Sequence, residues 1–261
     1  MISPEPRRPS KHGGYGWVPD LPDARDHLYA APPEFLTALP PQVDLRGQCP
    51  AVYDQGQLGS CTANAIGGAF EFDVLRQKAT DLMPSRLFIY YNERVMENTV
   101  NSDAGAQIRD GIKSVAKQGV CPESEWPYDT AQFAVQPPAQ CYTGALSHRA
   151  SSYQRVAQLL NQLKGCLAHG NPFVFGIAVY ESFESDQVAQ TGEVPMPATG
   201  ERLLGGHAVL AVGYDDSTQR FTVRNSWGSG WGMAGYFTLP YAYLIDRSLS
   251  SDFWTLLAVT G

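Results

Sequence analysis

Residues 206–214 read Gly-His-Ala-Val-Leu-Ala-Val-Gly-Tyr, and residues 220–225 read Arg-Phe-Thr-Val-Arg-Asn, with Asp-Asp-Ser-Thr-Gln between them. Two short β-rich runs on either side of a polar segment are typical of an antiparallel hairpin. If the turn lies within 215–219, the numbers of paired residues sum to about 433, because a loop of three to five residues fixes the register. The hairpin therefore places His207 opposite residues 225–227 and close to Asn225.

Other segments also show clear periodicity. Short β-rich runs bounded by Gly, Pro and Asp predict strands at 173–180 and 235–239. Apolar residues recur every three to four positions at 60–78, 84–97, 103–118 and 153–169, which predicts four helices. The last of these helices is predicted from Val156, Leu159, Leu160, Leu163 and Leu167.

Helices precede strands along the chain, and this order is typical of an α+β protein with two subdomains. We expect a mainly helical subdomain at 42–150 and a β-rich subdomain at 151–261 whose antiparallel sheet is barrel-like. A cleft that can hold a ligand is expected where the two subdomains meet.

Composition excludes several classes of protein. The chain has 261 residues, with 19 Lys plus Arg against 26 Asp plus Glu, and its hydrophobic content of 43% is that of an ordinary globular protein rather than a disordered one. It has no Lys/Arg cluster of the kind that binds phosphate backbones, and no apolar run of roughly 18 residues that could span a bilayer. We therefore expect neither a nucleic-acid nor a membrane partner, and we expect a monomer.

The chain has five cysteines, and one of them stands out. They lie at positions 49, 61, 121, 141 and 166 without any C-x-x-C pair, so a zinc site is not expected. An odd count leaves at least one thiol free, while the pairing of the others stays open. Cys61 begins the helix predicted at 60–78, where unpaired backbone amides and the helix dipole favour a thiolate. Taken alone, however, Cys61 could equally be a buried, inert thiol.

His207, Asn225 and Gln55 supply partners for Cys61. An amide that accepts the N–H of an imidazole fixes the ring, so the three residues Cys61, His207 and Asn225 can act as nucleophile, base and orienting group. Gln55 lies six residues before Cys61, and its amide could join the backbone N–H of Cys61 in stabilising an oxyanion. Considered without the other residues, His207 could instead be a structural histidine at the end of a strand, and Gln55 a solvated loop residue.

At these residues the sequence resembles the papain-like cysteine peptidase family. Four segments carry the resemblance: Val-Tyr-Asp-Gln-Gly-Gln-Leu-Gly-Ser-Cys at 52–61, Gly-Val-Cys-Pro-Glu-Ser-Glu-Trp-Pro-Tyr at 119–128, the strand at 206–214, and Asn-Ser-Trp-Gly-Ser-Gly-Trp-Gly at 225–232 with Gly-Tyr at 235–236. The resemblance spans roughly residues 42–240, and bacterial members with a short N-terminal arm look most similar.

The resemblance implies a papain-like fold and a peptidase without metal or cofactor, acting on peptides or proteins. Cys61 would be the nucleophile, His207 the general base and acid, Asn225 the orienting amide and Gln55 the oxyanion donor. It also implies that Trp227 shields the His207–Asn225 pair from water. Three residues would contact substrate, namely Gly105, Gly206 and Trp227.

The sequence departs from the family pattern at two positions. Leu58 replaces a common cysteine, so one familiar disulfide is absent, and Thr62 replaces the tryptophan that usually follows the nucleophile. Endopeptidase activity is the default expectation. A non-catalytic peptide-binding protein of the same fold, or a transpeptidase using the same acyl-enzyme, remain the alternatives.

Residues 1–41 contain nine prolines and three glycines and are expected to form an extended arm. Its apolar residues Tyr15, Trp17, Val18 and Leu21 suit pockets along a groove, so we expect the arm to lie across the cleft near Cys61 and to regulate it. The alternative is an arm packed on another face, where it only stabilises the fold. Prolines 4, 6 and 9 replace the apolar core of a secretory signal peptide, and the compartment stays open.

Overall fold

The computed structural model describes residue 11 and residues 14–260. The rest of the predicted arm, residues 1–10, 12 and 13, lies outside the described residues. The helices are α1 (Pro33–Thr37), α2 (Cys61–Arg76), α3 (Arg86–Glu97), α4 (Ile108–Lys117), α5 (Ala139–Ala145), α6 (Leu160–Ala168), α7 (Asp186–Thr191) and α8 (Tyr241–Ile245). In the described part of the chain, none of them is long and apolar enough to cross a bilayer.

Ten strands form two sheets of very different size within the described residues. They are β1 (Trp17–Val18), β2 (Leu28–Tyr29), β3 (Gln42–Asp44), β4 (Ala106–Gln107), β5 (Ala150–Val156), β6 (Phe173–Tyr180), β7 (Leu203–Asp215), β8 (Arg220–Arg224), β9 (Tyr236–Pro240) and β10 (Ser250–Val259). The large sheet has the order β2-β5-β10-β6-β7-β8-β9, with β3 added on β7. All its pairs are antiparallel except β2 with β5, and the small sheet is the parallel pair of β1 and β4.

Helix α2 lies in the middle of the molecule and packs against β7, β10 and α3. Ile66, Phe70 and Val74 are spaced at i, i+4 and i+8 and are buried, as the helical periodicity predicts. At Gly68 a Cβ atom would lie 3.3 Å from Nε of Arg224, so glycine lets the helix approach the sheet closely. Cys61 is the first residue of this helix, and its side chain contacts strand β7 of the large sheet at Ala208.

The helix predicted at 153–169 is wrong over its first part. Residues 150–156 form strand β5, and only Leu160–Ala168 is helical. Strand β5 pairs with β10 on one side and β2 on the other, and neither partner is close in sequence. Hydrogen bonding to these distant strands overrides the local helical spacing of Val156 and Leu159, and Leu159 stays 57% exposed instead of packing.

The remaining predicted elements are present with shifts at their ends. The helices predicted at 60–78, 84–97 and 103–118 correspond to α2, α3 and α4, and the strand predicted at 173–180 corresponds to β6. In the hairpin, paired numbers sum to 435 near the turn, as for Gly213 with Thr222, and to 434 beyond a register shift, as for Leu210 with Arg224. The predicted sum of about 433 is therefore one to two residues too low. Strands β9 and β10 complete the C-terminal region, and β10 had no counterpart in the sequence prediction.

The described part of the arm is fixed to the body by buried ionic contacts. Asp20 accepts hydrogen bonds from the indole N–H of Trp254 at 2.9 Å and from the backbone N–H of Arg109 at 3.0 Å. The guanidinium of Arg109 also pairs with Asp26 at 2.6 Å. These charges lie together and are largely buried, so a change that loosens one contact weakens its neighbours.

Candidate active site

Cys61 is the first residue of α2 and is completely buried. Its Sγ accepts a hydrogen bond from the backbone N–H of Ala208 at 3.3 Å, and the backbone amides of Gly16 and Thr62 also stabilise charge on the sulfur. Burial outweighs these donors and raises the pKa of the Cys61 thiol to about 11. With the arm in this position, the thiol is protonated at neutral pH.

His207 and Asn225 are in direct contact, as the hairpin register predicts. Nε2 of His207 lies 2.8 Å from Oδ1 of Asn225, which also accepts the backbone N–H of Ser226 at 2.9 Å. Because that Asn225 atom is an acceptor, Nε2 must carry the proton, and Nδ1 is the nitrogen able to take one. Burial lowers the pKa of His207 to about 4, so the ring is neutral in this arrangement.

Trp227 covers the His207 ring. The two ring centroids are 5.0 Å apart at an interplanar angle of 28°, a stacked arrangement. Asp54 pairs with Trp227 through a β-bridge, which ties the loop of Gln55 to the loop that follows β8. The indole therefore lies against one face of the imidazole, which is the position that a shield of the ring would need.

Gln55 is fully buried and is not a solvated loop residue. Its Nε2 donates to the carbonyl oxygens of Leu58 at 2.8 Å and Gly14 at 2.9 Å, and its Oε1 accepts the hydroxyl of Ser226 at 2.6 Å. The sequence analysis did not identify Ser226 as part of the site, although its position directly after Asn225 indicated that it lies nearby. Ser226 links the amide of Gln55 to Asn225 and holds both in place.

Asp103 is a second residue that sequence reasoning missed. Both of its carboxylate oxygens lie 3.0 Å from the backbone nitrogen of Gly59, and one accepts the hydroxyl of Tyr90. Asp103 therefore holds the loop that leads into Cys61. Asp103 is far from Cys61 in the sequence, so the sequence did not predict its contact with Gly59.

The predicted substrate-binding glycines lie beneath residues 14–18 of the arm, which we call the docked segment. At Gly105, whose φ is +75°, a Cβ atom would lie 1.9 Å from the carbonyl oxygen of Gly16. At Gly206 it would lie 2.6 Å from the carbonyl oxygen of Trp17. Both sites therefore need glycine for the backbone of an extended peptide to approach this closely.

The docked segment makes specific contacts in the site. The carbonyl oxygen of Gly16 accepts the backbone N–H of Ala106 at 2.8 Å, and β1 continues this pairing in parallel with β4. The ring of Tyr15 lies 6.2 Å from that of His207 and 6.3 Å from that of Trp227, measured between centroids. The hydroxyl of Tyr15 donates to Glu184.

All five cysteines are free thiols, which answers the pairing question that the sequence left open. Among the described residues, no group of three His, Cys, Asp or Glu side chains is arranged to hold a metal ion. The groups that the site brings together are the thiol of Cys61, the imidazole of His207 and the amides of Asn225 and Gln55.

A family model and several solved structures match this chain. The family model described as "Papain family cysteine protease" matches residues 39–244. The crystal structure of xylellain, a cysteine protease from Xylella fastidiosa, is 46% identical, with coverage of 96% of this chain and 98% of that one and a TM-score of 0.89. Digestive procathepsin L 3 of Tenebrio molitor is 20% identical with a TM-score of 0.68, covering 96% of this chain and 76% of that one, and shares the fold.

Curated proteins with similar sequences are also peptidases of this kind by their descriptions. The uncharacterized peptidase C1-like protein L477 of Acanthamoeba polyphaga mimivirus is 44% identical over 94% of this chain and 87% of its own length. The cathepsin L-like proteinase of Fasciola hepatica is 28% identical over 77% of this chain and 60% of its own. These matches confirm the expected papain-like α+β fold. The chain belongs to the papain family of cysteine proteases.

Proposed function

We propose that Cys61, His207, Asn225 and Gln55 are the catalytic residues of an endopeptidase whose cleft is regulated by its own N-terminal arm. The observation that carries this assignment is the hydrogen bond of 2.8 Å between His207 Nε2 and Asn225 Oδ1. It fixes the imidazole with Nδ1 as its proton-accepting atom, in the same site as a thiol at a helix N-terminus.

The proposed reaction follows from these groups. Nδ1 of His207 takes the proton of the Cys61 thiol, and the thiolate attacks the substrate carbonyl carbon. The resulting oxyanion accepts hydrogen bonds from Nε2 of Gln55 and the backbone N–H of Cys61. His207 then gives its proton to the leaving amine as the C–N bond breaks. Water, activated by His207, hydrolyses the thioester and frees Cys61.

Contacts of the docked segment support the regulatory part of the proposal. The carbonyl oxygen of Gly14 accepts the hydrogen bond from Gln55 Nε2 at 2.9 Å, so it uses the donor that an oxyanion needs. The same segment excludes water from the pair, and burial raises the Cys61 pKa and lowers that of His207. Both shifts disfavour transfer of the thiol proton to the imidazole, so the docked segment opposes formation of the attacking thiolate.

Trapping the covalent intermediate tests the catalytic assignment. The full chain is mixed with a library of peptides, quenched with acid within milliseconds to seconds, and weighed by intact mass spectrometry. We expect peptide acyl groups attached to Cys61 and released by hydroxylamine, as a thioester is. Cys49→Ala, which removes another cysteine outside the site, serves as the matched control and should keep the adduct. Peptide cleavage by Cys61→Ala equal to that of the wild type would overturn the assignment.

A further inference from the structure

Arg86 is the first residue of α3, and its side chain is buried although it carries a charge. Its guanidinium pairs with the carboxylate of Glu123 through two nitrogens, and Nε lies 2.9 Å from Oε2. The guanidinium carbon also lies 4.1 Å from the ring centroid of Tyr128 and 4.8 Å from that of Tyr53. The ion pair and the two rings together restrict the rotation of the guanidinium and fix its orientation.

A further nitrogen of Arg86 reaches the loop that carries Gln55. Nη1 donates to the carbonyl oxygen of Asp54 at 3.0 Å. This carbonyl and the backbone N–H of Gln55 belong to one planar peptide unit, and the N–H donates to the carbonyl oxygen of Ser226 at 2.9 Å. The peptide unit is held at both ends, so the side chain of Gln55 extends from a backbone whose orientation is fixed.

The same nitrogen reaches the start of α2 through Asn64. Nη1 carries two hydrogens, and it also donates to Oδ1 of Asn64 at 3.2 Å. Nδ2 of Asn64 donates in turn to the carbonyl oxygen of Ser60 at 2.9 Å. The carbonyl of Ser60 and the backbone N–H of Cys61 belong to one peptide unit, so fixing the first fixes the direction of the second. Arg86 therefore holds both segments that supply hydrogen bonds to the proposed oxyanion.

We infer that Arg86 is a positioning residue that sets the distance between the two proposed oxyanion donors, the side chain of Gln55 and the backbone N–H of Cys61. The inference rests on the proposed function and adds to it a residue that acts through these donors without touching the substrate. An oxyanion bonds well to both donors only when they are correctly spaced. A shift of one segment against the other therefore weakens binding of the transition state more than binding of the substrate.

The segment at 119–128 gains a role in the site through Arg86. It supplies both Glu123 and Tyr128, which fix the guanidinium. The hydroxyl of Tyr128 also donates to the carbonyl oxygen of Gln55 at 3.0 Å. The segment that orients Arg86 thus contacts the Gln55 loop itself, and both contacts hold that loop in one position.

Arg86→Lys tests this geometry while it keeps the positive charge. A lysine ammonium can balance the charge of Glu123. Its single nitrogen cannot pair with that carboxylate and also donate to Asp54 and Asn64 as the guanidinium does. We expect acylation of Cys61 by peptides to slow by at least about 10-fold, since misplacing groups in an active site by about 1 Å can cost about 100-fold in rate.

The readout compares two reactions of the Cys61 thiol in the full chain. Acylation by a peptide creates an oxyanion, whereas alkylation by iodoacetamide displaces iodide and creates none. Both reactions need an open cleft and a thiolate, so the ratio of kcat/KM for one peptide to the alkylation rate constant cancels changes in arm docking. Arg86→Lys should lower this ratio by at least about 10-fold. Loss of kcat/KM and of alkylation by the same factor would show that Arg86 supports only the fold, and would overturn the inference.

Arg46→Lys is the matched control because Arg46 is exposed and also pairs with a carboxylate through two nitrogens, that of Asp44. It should leave the ratio unchanged. An equal ratio in Arg86→Lys, Arg46→Lys and the wild type would overturn the inference while leaving the proposed function intact.

A double-mutant cycle measures whether Arg86 acts through the donors. In Gln55→Ala one donor is missing, so Arg86→Lys should lower the ratio by a smaller factor there than in the wild type. Equal factors would mean that Arg86 acts independently of Gln55, against the inference. Asn64→Ala removes only the path to Ser60 and keeps the inference testable if Arg86→Lys does not fold. It should also lower the ratio, and an unchanged ratio would overturn the inference.

A last readout does not need activity. In Cys61→Ala, adding Arg86→Lys should release one end of the peptide unit before Gln55, so that the amide hydrogen of Gln55 exchanges at least about 10-fold faster. The amide of Leu45, which donates to Val212 at 2.8 Å, is the internal reference and should not change. Unchanged exchange at Gln55 would overturn the inference, whereas absence of all cleavage by the wild type would count against the proposed function.

Discussion

Gly16→Ala is expected to raise the rate at which iodoacetamide alkylates Cys61 in the full chain by about 5- to 150-fold. A Cβ atom at this position would lie 1.7 Å from the carbonyl oxygen of Gly59 and 2.4 Å from its carbonyl carbon. These are backbone atoms of the loop that leads into Cys61, so they cannot rotate away. A clash of this kind destabilises a packed contact by about 1–3 kcal/mol, and each 1.4 kcal/mol changes the open fraction tenfold.

Release of the docked segment also changes the protonation of the site. In the closed state burial raises the Cys61 pKa to about 11 and lowers that of His207 to about 4, so both groups are neutral between these values. Water entering the cleft stabilises both charged forms, which lowers the thiol pKa and raises that of the imidazole. Alkylation of the wild type should therefore increase mainly toward alkaline pH, while Gly16→Ala should already react near pH 6.

Mass mapping of the labelled cysteines gives the rate at each site. Gly47→Ala introduces the same methyl group at an exposed glycine with no close neighbour and should behave like the wild type. Cys49, the one partly buried cysteine of the five, is an internal reference whose rate should not change. Equal alkylation of Cys61 in Gly16→Ala and Gly47→Ala, in a folded protein, would mean that the docked segment does not limit access to the thiol.

Local signals in the sequence were sufficient to predict the contact between His207 and Asn225. Both residues belong to one hairpin, and the short turn at 215–219 fixes the register to within two residues. Helix α2 was predictable for a similar reason, since Ile66, Phe70 and Val74 repeat within one segment. A contact that depends on a single turn or a single helix can be predicted because the residues that determine it are close together in the sequence.

Features that depend on distant pairing could not be predicted in this way. Strand β5 is a strand because it pairs with β10, about a hundred residues later, while its own spacing also suits a helix. The link from Ser226 to Gln55, and that from Asp103 to Gly59, join loops that only the folded chain brings together. The raised pKa of Cys61 follows from its complete burial in the folded chain, which no local sequence pattern predicts.

Gln55→Ala is expected to lower kcat by about 100- to 1000-fold with little change in KM, since a donor to the oxyanion acts mainly in the transition state. The side chain is well placed for this because Ser226 holds its Oε1 at 2.6 Å and leaves Nε2 as the donor. In the wild-type chain, however, the same Nε2 binds the arm through Gly14. In Gln55→Ala the loss of this hydrogen bond would also loosen the arm, and the more open cleft would offset part of the decrease in kcat.

The comparison that separates these two effects is therefore made between Gly16→Ala and the double variant Gly16→Ala/Gln55→Ala, in which the arm is displaced in both proteins. Gln57→Ala, which removes an exposed glutamine side chain two residues away, is the matched control and should keep the kcat of its parent. Ser226→Ala in the same background should fall between them, because it keeps the Gln55 donor but frees its orientation. A double variant that loses affinity for substrate rather than kcat would show that Gln55 contacts the ground state, and the oxyanion role would have to be given up.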